Sequence, residues 1–325
     1  MKKTLITLCI ILTGCICFGQ SPISVTGLTC EKLVNPLAID NTVPHFSWMI
    51  HSDRTGASSA AYQVVVATSP EKLDEKNADL WNSGKVPGSE SLSVRYEGKP
   101  LSSKAFAYWK VRVWDNEGNV SQWSAPASFG IGFLDDKDWA SNAAFIGVPG
   151  NRGKSEVAPL LRKTFTAKEE AERYLLHVNS LGYHEAYVNG TAVSDAVLSP
   201  AVSQFGVRTR IVTYDVTAMV HSGENDIIIW TGKGWYQTHN KAVVPGGPYV
   251  RAQLDCITSE GVTAVTATDG SWKYAESERR TYGPWRPHEM GGEIVDARKI
   301  LPDFKSETLD QLKWKSVKVA DIPAH

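Results

Sequence analysis

Hydrophobic and polar residues alternate in short runs along most of the chain, whereas helical periodicity is scarce. In the clearest run, residues 108–114, Trp109, Val111 and Val113 share one face of a predicted strand. A polar turn cluster at residues 115–119 follows this run. Short strands that are separated by turn residues at spacings of about 8–12 residues predict antiparallel β-sandwiches.

The strand pattern divides into two segments. The first, residues 22–134, contains the run at 108–114, a polar turn and then Trp123-Ser124, a pattern typical of a fibronectin type III-like sandwich. Charged residues at 135–137 are a candidate linker. The second segment, residues 139–320, contains more strands and predicts a larger jelly-roll sandwich. The predicted fold class is therefore all-β, with two tandem antiparallel β-sandwiches.

The second segment has strand composition at many places and one clear hairpin. Asn189-Gly190 predicts a tight turn that joins two paired strands. The run at 227–230 is apolar throughout and predicts a buried strand. The other predicted strands of this segment are residues 160–165, 174–178, 185–188, 212–217, 249–257 and 262–268.

The first nineteen residues are typical of a secretory signal peptide. Lys2 and Lys3 precede a short apolar run at 4–13, which is too short to span a bilayer. Two cleavage sites compete: one before Gln20, and a lipobox-like site that would leave Cys15 as a lipidated N-terminus. Export to the periplasm or the outside is expected, with an outer-membrane lipoprotein as the alternative. No later segment is apolar for long enough to span a membrane.

Composition excludes some classes of protein. The chain has 325 residues and a formal net charge of -1, which argues against nucleic-acid binding. Three of its five cysteines lie in the leader, so a disulfide scaffold is excluded. Cys30 and Cys256 remain, either as two buried thiols or as one bridge. The 11 tryptophans suit an aromatic-rich sandwich or a carbohydrate-facing surface.

An ordered series of short motifs resembles the N-terminal region of bacterial α-L-rhamnosidases. No single motif is specific, but their order holds across nearly the whole mature chain. The motifs are Asn35-Pro36-Leu37, Phe46-Ser47-Trp48, Trp81-Asn82-Ser83-Gly84, Tyr108-Trp109-Lys110-Val111, Gly182-Tyr183-His184-Glu185, Val188-Asn189-Gly190, Gly234-Trp235-Tyr236, Gly270-Ser271-Trp272 and Gly292-Glu293-Ile294-Val295-Asp296.

The resemblance implies that the catalytic carboxylates are absent. In that family these sandwiches precede an (α/α)6 barrel that carries the catalytic residues, and this sequence stops at His325, before any such barrel. No catalytic residue is predicted. The expected function is a non-catalytic N-terminal region that binds rhamnose-containing glycans. One alternative is part of an active glycoside hydrolase whose catalytic domain is encoded separately or lost. The other is a structural scaffold with no sugar site.

Candidate binding residues lie in two places. The resemblance implies a rhamnose-binding role for the second sandwich, with Asn189 and Asp195 near the predicted hairpin as candidate sugar ligands. It also implies calcium, for which Glu185 and Asn189 are candidate ligands, because calcium prefers oxygen donors.

Aromatic residues supply the other candidates. Trp235 and Tyr236 follow two glycines and are candidates for stacking on a sugar ring. The alternative for this pair is packing in a core. Residues 285–289 predict a polar loop that contacts a ligand or only solvent.

Overall fold

The computed structural model describes residues 23–149, 157–167, 171–236, 244, 246–283 and 291–322. The predicted leader, including Cys15, and the loop at 285–289 lie outside the described residues. The first eight strands are β1 (Ser24–Cys30), β2 (His45–His51), β3 (Ser59–Ala67), β4 (Trp81–Asn82), β5 (Val86–Pro87), β6 (Val94–Arg95), β7 (Phe106–Asp115) and β8 (Ala127–Gly130).

Strands also dominate the rest of the chain. The remaining strands are β9 (Phe145–Gly147), β10 (Val157–Ala167), β11 (Arg173–Leu181), β12 (Tyr183–Val188), β13 (Thr191–Ala192), β14 (Ile211–Asp215), β15 (Gly223–Gly232), β16 (Tyr249–Thr258), β17 (Gly261–Ala267), β18 (Lys273–Tyr282), β19 (Gly292–Val295), β20 (Lys315–Ser316) and β21 (Lys318–Ala320). The described helices are one α-turn, α1 (Ser306–Leu309), and 3-10 turns at Pro70–Lys72, Asp136–Asp138, Thr217–Met219 and Ala297–Lys299. The prediction of an all-β chain of antiparallel sandwiches is confirmed.

The chain forms two compact units that interleave along the sequence. Unit 1 contains described residues up to Val34, Pro44–Lys99 and Tyr108–Ala127. Unit 2 contains Asn35–Val43, Pro100–Ala107 and the described residues from Ser128 onward. The sequence-based boundaries at 22–134 and 139–320 stay predictions.

Unit 1 is built on a three-stranded sheet, β1-β2-β6, and a sheet in which β3 lies between β4 and β7. The alternation predicted for 108–114 is confirmed, because Trp109, Val111 and Val113 of β7 are fully buried. The Trp109 ring stacks on Phe46 of β2, with ring centroids 4.3 Å apart. This aromatic pair joins the two sheets of unit 1.

Unit 2 contains two larger antiparallel sheets. One has the order β13-β12-β15-β10-β18-β19, with β20 also on β18, and the other has the order β14-β11-β16-β9-β21, with β17 also on β16. Strand β15 is buried at Ile227, Ile228 and Ile229, as the apolar run predicts. Strand β21, the last described strand, pairs antiparallel with β9, the first strand of unit 2 in this sheet.

The segment after β19 covers one face of the first of these sheets. Leu309 of α1 is fully buried against Leu160 and Ile228, and Phe304 lies beside the Tyr187 and Trp230 rings. The sequence pattern gives no sign of this cover, because the segment shows neither strand alternation nor a helical repeat.

An ion pair between β10 and β15 lies beneath this cover. Arg162 donates two hydrogen bonds to the carboxylate of Asp226, each 2.7 Å long, and a third to Asp310, 2.6 Å long. The Ser306 hydroxyl also donates to Asp226. These hydrogen bonds, above all that to Asp226, raise the pKa of Arg162. The pair therefore ties both strands to the covering segment.

The two cysteines outside the leader are buried and unpaired. Burial, with the charge of Glu31, raises the pKa of Cys30 to about 12, so this thiol stays protonated. Because both thiols are free, the alternative of a bridge between Cys30 and Cys256 is wrong. Within the described ranges, no helix has the length and apolar character needed to cross a membrane.

Candidate functional site

Asn189 forms the predicted hairpin turn between β12 and β13. Asn189 and Gly190 both have positive φ, at 49° and 81°, as a two-residue type I′ turn requires. The Asn189 amide donates to Met219 O and Asn225 Oδ1 and accepts from Asp226 N, at 2.7–2.9 Å. Its role as a sugar or calcium ligand stays a prediction, and any ligand would compete with these three bonds.

The carboxylates near this hairpin are both exposed. Glu185 points outward from β12 and accepts a hydrogen bond from Tyr187 Oη, 2.8 Å away. Burial, reinforced by that carboxylate, raises the pKa of Tyr187. Asp195 lies exposed in the loop after β13.

The two predicted calcium ligands are four positions apart along β12 and the turn that follows it. In extended chain this spacing is about 13 Å between Cα atoms. Among the described residues, no group of three or more His, Cys, Asp or Glu side chains could hold a metal ion. Amide and carbonyl oxygens also bind calcium, so the calcium site stays a prediction.

Trp235 and Tyr236 are adjacent in sequence but lie in different environments. Tyr236 is 0% exposed, its hydroxyl donates to Val244 O over 2.9 Å, and its ring meets Phe205 edge-on at 5.3 Å. Trp235 is 41% exposed. Gly234, with φ of +50°, lets the chain pass close to Tyr183, where a Cβ would lie 3.1 Å from the Tyr183 nitrogen. A sugar can therefore reach the Trp235 ring, whereas the Tyr236 ring belongs to the core.

A loop that sequence reasoning missed contacts Tyr236, the residue that follows Trp235. Phe205 anchors the loop on Tyr236, and the adjacent residues line an open cleft of about 450 Å³. The cleft is lined by Val202, Ser203, Gln204, Arg208 and Arg210. We call the cleft and the Trp235 ring together the Trp235 surface. No spacing in the sequence marks the cleft residues, because their meeting depends on the contact between Phe205 and Tyr236.

The buried residue His184 contacts the N-terminal part of this loop, at Ser199. The His184 backbone donates to Ser199 O over 2.8 Å, while its ring nitrogens lie 2.7 Å from Ser180 Oγ and 2.8 Å from Tyr214 Oη. Burial lowers the pKa of His184 to about 4. The ring is therefore neutral near pH 7, and it positions β12 and the loop rather than exchanging protons with a ligand.

The pKa of His184 predicts a loss of stability in acid. The unfolded chain takes up the proton at a pKa of 6.5, whereas the folded chain resists it down to about 4. The stability is complete above pH 6.5 and falls as the pH decreases towards 4, by about 3 kcal/mol. Urea unfolding at pH 7 and pH 4 measures the loss.

The variant His184→Gln provides the comparison for this loss, with His51→Gln as an exposed control. We expect the difference between pH 7 and pH 4 to shrink by about 3 kcal/mol in His184→Gln and to stay unchanged in the control. An equal acid loss in His184→Gln and the unmodified chain would refute the assignment.

A second buried polar cluster in unit 2 surrounds Asp255. Its carboxylate lies 2.9 Å from Lys104 Nζ and 3.5 Å from His177 Nε2, and it accepts a 2.6 Å bond from Gln253. Burial alone would raise the pKa of Asp255, but the hydrogen bond and charge of His177, with Gln253 and Lys104, lower it. The adjoining cavity of about 10 Å³ holds at most one water. This cluster therefore has no room for a sugar.

Two sequence-family models match the chain. The model described as Rha78A-like, N-terminal immunoglobulin domain matches residues 25–135. The model described as alpha-L-rhamnosidase N-terminal domain matches residues 169–325. Immunoglobulin and fibronectin type III domains share the sandwich architecture, so the first match agrees with the fold of unit 1.

Known proteins resemble the chain over nearly its full length. An alpha-L-rhamnosidase of Formosa agariphila is 31% identical over 99% of this chain and 38% of its own length. One from Alteromonas sp. is 30% identical over 88% of this chain and 32% of its own length. The solved alpha-L-rhamnosidase of Dictyoglumus thermophilum has a TM-score of 0.79 and 27% identity, over 93% of this chain and 35% of that one. The chain thus spans about a third of the length of these relatives.

Proposed function

We propose that this chain, which belongs to the α-L-rhamnosidase family through its N-terminal domains, binds rhamnose-containing glycans at the Trp235 surface. The proposal is carried by the exposed Trp235 ring, by an open cleft with two guanidinium groups, and by the ring contact between their sequence neighbours Tyr236 and Phe205. The Phe205 and Tyr236 rings are in contact in the core. Because Gln204 of the cleft comes directly before Phe205, and Trp235 comes directly before Tyr236, we infer that this contact brings the cleft and the indole into one region.

The chemistry of this surface suits a sugar. The apolar face of a pyranose stacks on an indole ring. Arg208, Arg210 and Gln204 supply donors for sugar hydroxyl groups, and Gln204 also supplies an acceptor. The cleft volume of about 450 Å³ is in the range of small-molecule sites.

Titration calorimetry with L-rhamnose tests the proposal. Replacing Trp235 by alanine removes the stacking ring, and we expect the affinity to fall by about tenfold. Tyr282→Ala, which removes an aromatic ring that is 65% exposed elsewhere on unit 2, should leave the affinity unchanged. Absence of heat at millimolar rhamnose, or an equal loss in both variants, would reject this site. Repeating the titration in EDTA decides whether calcium is required.

A second candidate function is participation in an active α-L-rhamnosidase. It is favoured by the relatives of that name, of which this chain matches about a third. Inverting hydrolysis requires an acid and a base about 6.5–9.5 Å apart across the bond, and we assign no such pair to the chain. An aryl α-L-rhamnoside assay decides between the two: turnover by the purified chain would make it catalytic in its own right.

Export and partners complete the proposal. The leader at residues 1–19 supports export of the protein, with a lipid anchor at Cys15 as the alternative.

Exposed apolar residues bear on the possible partners. Val197, Leu198 and Val207 of unit 2 are strongly exposed. Exposed apolar residues also suit contact with a separate catalytic domain, and this is the scaffold alternative. Concentration-dependent self-association without any rhamnose binding would favour the scaffold.

A further inference from the structure

The two sheets of unit 1 leave a cleft along one lateral edge. On one side β6 pairs with β2 through only two residues, and on the other β4 and β5 each pair with β3 through two residues. These short strands do not close the edge of the sandwich. A cleft of about 340 Å³ opens between them.

Aromatic rings of the inner sheet face form the floor of this cleft. Trp81 of β4 is paired with Val66 of β3, and Tyr62 of β3 is paired with Val113 of β7. Paired residues lie on the same face of a sheet, and Tyr62 and Val66 are four positions apart on β3, so both rings lie on the face that also carries Val113 of the core. Both rings are half-buried and line the cleft. Trp81 is held 5.5 Å from Tyr96, between ring centroids. The floor is therefore an aromatic surface that remains partly accessible.

Charged groups of both signs form the rim. Glu90, Glu97 and Arg95 line the cleft and are exposed. Across the described ranges, these three side chains and the Tyr62 hydroxyl form no hydrogen bond or ion pair within the protein. By contrast, the nearby Asn82 amide is already used by Gln63 and Glu75. The cleft thus keeps one cationic donor, two anionic acceptors and a hydroxyl for a ligand.

We propose that this cleft binds a neutral sugar residue, at a site separate from the Trp235 surface. Two carboxylates repel an anionic ligand, and a guanidinium group repels a cationic one. A neutral polyol satisfies both kinds of group, since each sugar hydroxyl both donates and accepts. The Tyr62 and Trp81 rings offer apolar contact to the ring of the sugar. The volume lies in the range of about 300–1,000 Å³ that is usual for small-molecule sites.

The site differs from that of the proposed function in its residues, so the two can fail independently. Trp235→Ala removes the first surface and leaves this cleft intact. The double variant Glu90→Gln and Glu97→Gln removes both negative charges from the cleft, keeps Arg95, and leaves the Trp235 surface intact. Both carboxylates are exposed, so the double variant is expected to fold normally.

Saturation-transfer NMR of the full chain with neutral methyl glycosides, L-rhamnoside among them, tests the inference in the Trp235→Ala background. We expect millimolar binding that persists at high salt and weakens about tenfold in the double variant, because charge-assisted hydrogen bonds are lost. Tyr62→Phe, which removes only the hydroxyl, should weaken it less. Glu71→Gln, an exposed glutamate of unit 1 outside the cleft, is the matched control and should change nothing.

Three results would overturn the inference. One is no binding of any neutral glycoside in the Trp235→Ala background. Another is binding that the double variant leaves unchanged, which would place the sugar elsewhere. The third is salt-sensitive binding of choline in preference to the glycosides, which would make the cleft a cation site.

Discussion

Replacing Asp226 by alanine is expected to lower the free energy of unfolding of unit 2 by about 3–5 kcal/mol. The Asp226 side chain is only 4% exposed and receives both Arg162 hydrogen bonds at 2.7 Å. Without it, the Arg162 charge remains largely buried, and among the described residues the exposed Asp310 is its one remaining carboxylate partner, with the Trp314 ring centroid 5.5 Å from the guanidinium carbon. The cost comes from that uncompensated charge and from loss of the Ser306 contact.

Asp310 supplies the matched control for this prediction. It pairs with the same guanidinium but is 68% exposed, so Asp310→Ala should cost at most about 1 kcal/mol. Urea unfolding followed by circular dichroism measures both. Replacing the pair together, by Arg162→Met with Asp226→Leu, should recover part of the loss, since no unpaired charge is left buried. Equal losses for Asp226→Ala and Asp310→Ala would show that burial does not govern the pair.

The second large effect is expected in unit 1, where Trp109→Ala should cost about 3–5 kcal/mol. The ring is fully buried and stacks on Phe46 across the two sheets. Truncation leaves a cavity that the surrounding sheet residues fill only in part, so both the transfer energy and the packing energy are lost.

Trp235→Ala controls for the loss of a tryptophan as such. Its ring is exposed, so the free energy of unfolding should change by less than about 1 kcal/mol. Trp109→Phe should retain part of the packing and fall between the two. A Trp109→Ala chain as stable as the unmodified one would contradict the assignment of this ring as the centre of the unit 1 core.

Local pattern predicted the strands well where a face is buried. Strand β7 alternates because one face contacts the sandwich core, and residues 227–229 of β15 are apolar because both faces of the strand are covered there. The Asn189-Gly190 turn was predicted for a local reason too, namely the positive φ of both residues. These features depend on neighbours in sequence, and alternation reveals them directly.

The candidate site could be predicted only in part. Adjacent aromatic residues such as Trp235 and Tyr236 carry no local signal that says which one is buried. That depends on Phe205, 31 positions before Tyr236 in sequence, whose ring contacts the Tyr236 ring. The hydrogen bonds of the Asn189 side chain to Met219, Asn225 and Asp226 likewise had no signal in the sequence, and its role as a ligand stays a prediction. Tertiary contacts, which leave no periodic trace in sequence, decide such details.

The pairing of β9 with β21 has a consequence for synthesis on the ribosome. Chains fold as they emerge from the N-terminus, so β9 leaves the exit tunnel long before Lys318–Ala320 can pair with it. Until then one edge of β9 exposes unpaired backbone groups, which are a template for aggregation. Nascent chains of this protein therefore carry an open sheet edge for most of the synthesis of unit 2. Binding of a chaperone during this period would reduce aggregation the most.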